Sequence, residues 1–320
     1  MLTSFALIFL IGLSTAYICQ KIKLPRIIGM LVTGIVLGPY VLDFLDPKIL
    51  GISSELRQMS LIIILVKAGL SLNLSDLKKV GRPAVMMSFL PALFEIGAFV
   101  LFAPYLLHIS LIEAAIMGAV LGAVSPAVVV PRMVNLIEED YGTNKNIPQL
   151  ILAGASLDDV FVIVLFYAFI SMAQGESARI MSFVNIPVSI VLGIVLGAAF
   201  GFVISWIFEF MRSHGEAVRQ SLMVIITLGI AFLLMAIETW LDGIVSVSGL
   251  LAVMSMACVV QMRISKDTSK GLSKKYGQMW LAAEVVLFVL VGAAVDIRYT
   301  LGAGVMAIVM ILINFISYFS

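Results

Sequence analysis

Asp158 and Asp159 stand side by side in Gly154-Ala155-Ser156-Leu157-Asp158-Asp159-Val160-Phe161, near the middle of an apolar run over roughly residues 147–173. A run of that length crosses a bilayer as a helix, which sets both carboxyl groups close to the mid-plane. One ionisable side chain there costs about 2.5–3.5 kcal/mol even on the most lenient insertion scale, so two adjacent ones need a reason. Desolvation and mutual repulsion favour the protonated form of such carboxyls, and a cation that has shed its water can take the proton's place. Competition of H+ and Na+ for one carboxylate is antiport chemistry. Successive helical positions differ by about 100°, so one carboxylate can face a cavity while the other faces a neighbouring helix. A polar pair kept only for packing is the competing explanation, but Ser, Thr or Asn serve that end at lower cost.

A second unusual stretch lies just upstream. Ile112 to Pro131 carries Gly118, Gly122, Ser125, Pro126 and Pro131, and two prolines five apart remove backbone donors and push the residues before them out of the helical region. The spacing predicts a broken helix, with Pro126 and Pro131 as the breakers. Half-helices whose freed carbonyls and dipole ends point into a mid-membrane cavity are how secondary transporters build cation sites. From this stretch alone, an ordinary proline kink accommodated by neighbouring helices stays open.

These residues need a membrane scaffold, and the composition supplies one. The chain of 320 residues is 62% hydrophobic and 12% charged, against about 25% charged in soluble domains, and its mean hydropathy is +1.14. That is an all-α polytopic membrane protein, since lipid leaves no other way to satisfy so many backbone groups in single segments. Eleven apolar segments are predicted, at roughly 2–19, 27–42, 56–72, 84–107, 111–131, 147–173, 183–211, 220–241, 245–262, 277–295 and 301–320. The first lacks a basic stretch before it and runs on into more membrane, so it is expected to be a retained span rather than a cleaved signal.

Basic residues set the orientation. The odd-numbered connections hold Lys21, Lys23, Arg26, Lys78, Lys79, Arg82, Arg132, Lys145, Arg212, Arg219, Arg263, Lys266, Lys270, Lys274 and Lys275. The even-numbered ones and their flanks hold only Lys48, Arg57, Arg179 and Arg298. The N-terminus is therefore expected outside and the 263–275 connection inside, the latter as a topology anchor. A net charge of +1 without a basic tract points to no nucleic acid. Cys19 and Cys258 read as small hydrophobes, and His108 and His214 as span-end residues. Gly193, Gly197 and Gly201 offer a face for close helix contact. Among the further charges within or beside spans are Glu95, Lys67 and Glu284, while Glu238 and Asp242 flank Trp240 at a span end, where solvated charges are ordinary. Lys67 is expected to pair with a carboxylate or to snorkel, and an unpaired Glu95 should be neutralised or bonded. No enzyme chemistry is expected, because an aspartyl protease needs its two aspartates on separate helices across a water.

Taken together, Gly122-Ala123-Val124-Ser125-Pro126-Ala127-Val128-Val129-Val130-Pro131, Tyr141-Gly142, Ile147-Pro148 and Ala155-Ser156-Leu157-Asp158-Asp159 resemble the monovalent cation/proton antiporters, and within them the two-aspartate NHA branch. Lys23-Leu24-Pro25-Arg26-Ile27-Ile28-Gly29-Met30-Leu31, Lys67-Ala68-Gly69-Leu70-Ser71-Leu72 and Leu290-Val291-Gly292-Ala293-Ala294-Val295 also resemble family blocks. The resemblance implies an inverted-repeat antiporter fold with a discontinuous helix, about 11 of an expected 13 spans being present. It also implies a homodimer in a bacterial inner membrane, needing no cofactor and exchanging Na+ or Li+ for H+ by alternating access. Related K+/H+ exchange and sodium-coupled organic-anion symport share the architecture and stay open. Asp159 would then be the ion-binding carboxylate and Asp158 its partner, with Na+ or Li+ at this pair although only one need coordinate it, and Ser125 and Ser156 would be neutral groups nearby.

By the same resemblance, spans in 1–83 belong to a dimerisation domain and 84–173 to the first half of an ion-binding core. Residues 174–295 are then linking and interface spans, and 296–320 begin a second core half. Glu284 matches a position near the domain interface, in a structural or pH-sensing role. Glu95 matches an acid that pairs with a Lys or Arg on a later core helix, but Tyr299 to Ser320 contains no basic residue. Glu95 is accordingly expected to lack a basic partner, and the chain to be C-terminally incomplete relative to the family.

Overall fold

The computed structural model describes residues 1–71, 81–173, 180–213, 219–241, 243–297 and 309, and within its helices the side chains at 126–127, 156–157, 159–160, 163–164, 167–168, 171, 180–186 and 212–213 are left aside. The chain is all-helical among the described residues. The predicted span at 301–320 lies outside them apart from residue 309, as do the residues around Lys78, Arg179, His214 and Arg298. The helices are α1 (Leu2–Lys21), α2 (Arg26–Leu37), α3 (Pro47–Gly51), α4 (Ser53–Ser71), α5 (Gly81–Met87), α6 (Leu90–Leu107) and α7 (Leu111–Gly122). They continue with α8 (Pro126–Glu138), α9 (Ile147–Ala173), α10 (Ile180–Ser213), α11 (Gln220–Leu241), α12 (Gly249–Arg263) and α13 (Lys266–Ala293). Leu2–Lys21, Gly81–Leu107, Pro187–Met211, Gln220–Leu241 and Lys266–Ala293 are long and apolar enough to cross a membrane, as a multi-pass membrane protein requires.

The helices gather into two compact units. Met1–Ile64 and Lys274–Gly304 form the first; Leu65–Ser273 and Val305–Ser320 form the second. Within the first, Thr15 on α1 donates to the Gly29 carbonyl of α2 at 3.0 Å and meets the Thr33 hydroxyl at 2.7 Å. Such short polar contacts replace water where helices meet in an apolar setting. Helix α2 is shorter than the predicted 27–42, because Gly38 precedes Pro39 and is held extended at ψ 174°.

In the second unit the glycine row of α10 does what its spacing predicts. Gly193 and Gly201 face the Ser248 and Met256 carbonyls, each 2.6 Å from where a Cβ would be, and a Cβ on Gly197 would overlap the Ala252 carbonyl and Ser255 Oγ. The approach lets Ser255 donate to the Ile194 carbonyl at 3.2 Å. Helices α10 and α12 are thereby locked backbone to backbone. Phe202, Trp206 and Phe210 of α10 are exposed, with the Arg263 guanidinium at the end of α12 4.0 Å above the Phe202 ring.

Two segments differ from expectation for physical reasons. The single span predicted at 84–107 is interrupted between α5 and α6, where Phe89 takes φ −134° just before Pro91. Proline has no amide for the turn behind it and its ring crowds that turn's carbonyl. Most of the 263–275 connection is not a loop: Arg263 ends α12 and Lys266–Lys275 are the first turns of α13, opened by Ser265 Oγ accepting from the Thr268 amide at 3.3 Å. Ser269, Leu272, Ser273 and Tyr276 are buried while Lys266, Lys270 and Lys274 are exposed, an amphipathic pattern of helical period.

A Gly197→Leu substitution forces these helices apart and should destabilise by about 1–3 kcal/mol, the usual cost of overpacking. Gly229→Leu on α11, where nothing lies within 4 Å of the new Cβ, should be neutral. Thermal melting in detergent checks the contrast, and equal melting temperatures for the two variants would contradict the backbone contact.

Candidate functional site

The site is built around the interruption between α7 and α8. Helix α7 starts cleanly: Ser110 Oγ accepts from the Glu113 amide at 3.3 Å and Glu113 accepts from the Ser110 amide at 2.7 Å, a reciprocal cap. It ends at Gly122, after which Ala123 and Ser125 are extended, with ψ 120° and 111°. Pro126 then opens α8 at its first position, where proline's fixed φ fits and its missing amide is no loss, while it bars Ser125 from helical geometry. Pro131, predicted as a second breaker, does not break the chain: α8 runs through it to Glu138. An interior proline removes one hydrogen bond, and the turns on either side carry the helix past it.

Breaking a helix in this setting frees backbone amides that water cannot reach. The Val124 amide, in the middle of the interruption, donates to Asp158 Oδ2 at 2.8 Å. Asp158 is 2% exposed, and its other oxygen, Oδ1, is buried with no hydrogen-bond partner among the described residues. An amide given to a carboxylate in a low-dielectric site is a charge-assisted bond and stronger than its neutral counterpart.

Helix α9 delivers this carboxylate because its register is fixed on several sides. It is entered through a tight turn at Thr143–Lys145 flanked by left-handed Gly142 and Asn146, at φ 72° and 53°. Val162 and Leu165 on α9 share a buried cluster with Ala92 and Ile96 of α6 and Ala119 of α7. Phe161 meets the Phe89 ring at 6.1 Å between centroids. Both proline-induced interruptions, at Phe89 and at Val124, therefore address one stretch of α9, three residues apart.

The sequence-predicted residues fall as follows. Asp158 is joined to the break. Asp159 and Ser156 lie on α9, and their side chains are outside the described ones. Ser125 caps α8 through its backbone, its carbonyl accepting from the Val128 and Val129 amides at 3.1 Å, while its side chain is exposed and makes no capping bond. Glu95 on α6 is half-buried, its Cβ 3.6 Å from where a Cβ on Gly122 would stand. It is not without a partner. Lys67 is 8% exposed and pairs with Glu138 Oε1 at 3.5 Å, the pairing foreseen without its partner. In the other unit, Glu284 is half-buried on α13 within electrostatic reach of Arg26. The Val124 amide and Glu138 were not singled out from sequence; Glu138 is the first acid after the break, which was the available signal.

Replacing Asp158 by Leu leaves the buried Val124 amide without an acceptor, a defect that costs about 1–3 kcal/mol. Hydrogen exchange over residues 119–128 should then speed up by about tenfold or more. Asp158→Asn keeps an acceptor oxygen and should stay near wild type. Equal protection in all three proteins would show that this bond does not hold the break.

Comparison with known proteins agrees with this architecture. The profile of the family described as "Sodium/hydrogen exchanger, transmembrane" matches residues 5–320. Sodium/hydrogen exchanger 9B2 of Homo sapiens is 31% identical over 276 residues, covering 86% of this chain and 50% of that protein. Sodium/hydrogen exchanger 9B1 of Mus musculus is 37% identical over 164 residues, covering 51% and 29%. The chain thus spans about half the length of the curated relatives it matches across most of its own length. Among solved structures, the sodium proton antiporter MjNhaP1 from Methanocaldococcus jannaschii superposes with a TM-score of 0.69 at 21% identity, covering 93% of this chain and 71% of that one, which is a shared fold. A multi-pass helical chain with a carboxylate bonded into a broken helix, matched almost from end to end by one family profile, belongs to the transmembrane sodium/hydrogen exchanger family.

Proposed function

We propose that this chain exchanges Na+ or Li+ for H+ across the membrane by alternating access, as a member of the two-aspartate NHA-type branch. The observation that carries it is the buried Asp158 carboxylate bonded to the Val124 amide of the interrupted helix. In a family of sodium/hydrogen exchangers, that is where a desolvated cation would find both a charge and unwound backbone.

Asp159 is the carboxylate for which proton and cation compete, one helical step of about 100° from Asp158. Asp158 ties the site to the break through Oδ2 and leaves Oδ1 for the cation. Ser125 contributes backbone at the break, Ser156 a neutral oxygen within the turn before the pair, and Glu95 a third acid beside Gly122. Cation entry displaces the proton from Asp159; release toward the other side returns one. The only bond broken and remade is the carboxyl O–H, and the cation and proton leave chemically unchanged, so the protein is a transporter and not an enzyme. Dimerisation through spans in 1–83, a core beginning in 84–173, an external N-terminus and a bacterial inner membrane complete the proposal.

In proteoliposomes carrying an imposed pH gradient, Na+ or Li+ should collapse the gradient through the wild-type protein. Asp159→Asn should lower the rate by at least about a hundredfold, because Asn can neither release a proton nor offer the cation a charge. Undiminished exchange in both Asp159→Asn and Asp158→Asn would sink the proposal.

A further inference from the structure

We infer that Lys67 and Glu138 form a clamp that positions the distal half of the broken helix, α8, and through it the cation site. The inference rests on the transport function proposed above. Lys67 sits in the apolar run of α4, and a lysine with only lipid for company would extend its stem toward the membrane surface. This one is 8% exposed and turned inward, with Nζ 3.5 Å from Glu138 Oε1. Buried ammonium groups need a counter-charge, so the pair is obligatory for Lys67.

The two partners differ in how firmly each is held. Gly69, two residues along α4, backs onto α12: a Cβ there would lie 2.6 Å from Ala257 Cβ and would overlap the Met254 carbonyl. Ser71 Oγ donates to the Lys67 carbonyl at 3.0 Å and meets Ser273 Oγ at 3.4 Å. Helix α12 is in turn locked to α10 by the glycine row. Lys67 therefore projects from helices that cannot slide without opening those backbone contacts.

Glu138 is less constrained. It is the last residue of α8, where a carboxylate opposes the helix dipole and a cation is favourable. The ammonium of Lys67 meets both needs, neutralising the acid and facing the negative end of the helix. Helix α8 is 13 residues long, a strut of about 20 Å at 1.5 Å per residue. Its far end is Pro126, next to the Val124 amide bonded to Asp158. Pro131 costs α8 an internal hydrogen bond near its middle, which makes anchoring at both ends the more important. Glu138 is 48% exposed, so solvent screens its end of the pair and the Coulombic gain there is small. The pair's consequence is where α8 sits, and Lys67 is a positioning residue rather than a cation ligand.

The test uses Lys67→Met, Glu138→Gln, Lys67→Arg and the reversed pair Lys67→Glu/Glu138→Lys, with Lys48→Gln on α3 as control. In Na+-driven proteoliposome assays each neutralising variant should raise the half-saturating Na+ concentration by about three- to tenfold, the usual range for coupling through a contact away from the site. Lys67→Arg and the reversed pair should return to within about twofold of wild type. Hydrogen exchange over residues 119–128, read on the same proteins without transport, should rise several-fold in the neutralising variants and stay unchanged in the control. Unaltered half-saturation together with unaltered exchange in Lys67→Met and Glu138→Gln overturns the clamp, and so does a reversed pair that folds yet is as impaired as either single variant. A wild-type protein that moves no Na+ overturns the transport function instead, and the exchange measurement then decides the clamp by itself.

Discussion

A helix cannot be interrupted inside hydrocarbon unless the backbone groups it frees find new partners. Here the partner is a carboxylate. Pro126 forces the interruption, Val124 is left with an amide pointing away from α7, and Asp158 Oδ2 accepts it at 2.8 Å. Each half of the arrangement makes the other tolerable: the break needs a strong acceptor, and a buried carboxylate needs donors to offset its lost hydration. The two unusual stretches of the sequence are therefore one physical object, joined by one bond between residues 34 positions apart.

That bond explains why α9 is the organising helix. It must hold its register for that bond to form, and the chain arranges this with small and apolar residues on the helices around it. Gly154 lets α9 approach Met87 at the end of α5, at 2.9 Å from a would-be Cβ, and the cluster of Ala92, Ile96, Ala119, Val162 and Leu165 packs it against α6 and α7. Phe161 then fills the second interruption by meeting Phe89. Packing of this kind tolerates little change of volume, so register rather than overall stability is what these residues protect.

How far the sequence alone led depends on how local each signal was. Asp158 and Pro126 were legible because an acid at mid-membrane and a proline in an apolar run are each conspicuous without knowledge of a partner. The α10 glycines were legible for the same reason, although nothing in their spacing pointed to α12 rather than another helix. Pro91 carried the same chemical signal as Pro126 but stood near the start of a long apolar run, where an uninterrupted span was the simpler expectation. The stretch Lys266–Lys275 misled because its charges look like a loop, whereas the i, i+3/i+4 placement of Ser269, Leu272, Ser273 and Tyr276 beneath them makes a buried helical face. Lys67–Glu138 was half-legible: the buried lysine demanded a counter-charge, but residues 71 positions apart on separate helices obey no spacing rule.

The second unit also divides by mechanical character, and that division bears on the proposed exchange. Helices α10 and α12 meet through carbonyls against glycine faces, a contact that is made in full or lost in full, and it contains no interruption between Gly193 and Gly201. The helices around Asp158 are of the opposite kind: α5 and α6 are separated before Pro91, α7 and α8 before Pro126, and α8 carries a further proline at position 131. Each interruption removes bonds that a continuous helix would keep, so local opening there costs less than opening of the α10–α12 contact. A cation site has to release what it binds, and one built from uninterrupted backbone would be as rigid as the scaffold supporting it. Under the proposed function, a carboxylate placed where the backbone is already broken would let the binding end of the unit change shape while α10 and α12 keep theirs, which is the minimal mechanical requirement for presenting one site to two sides of a membrane.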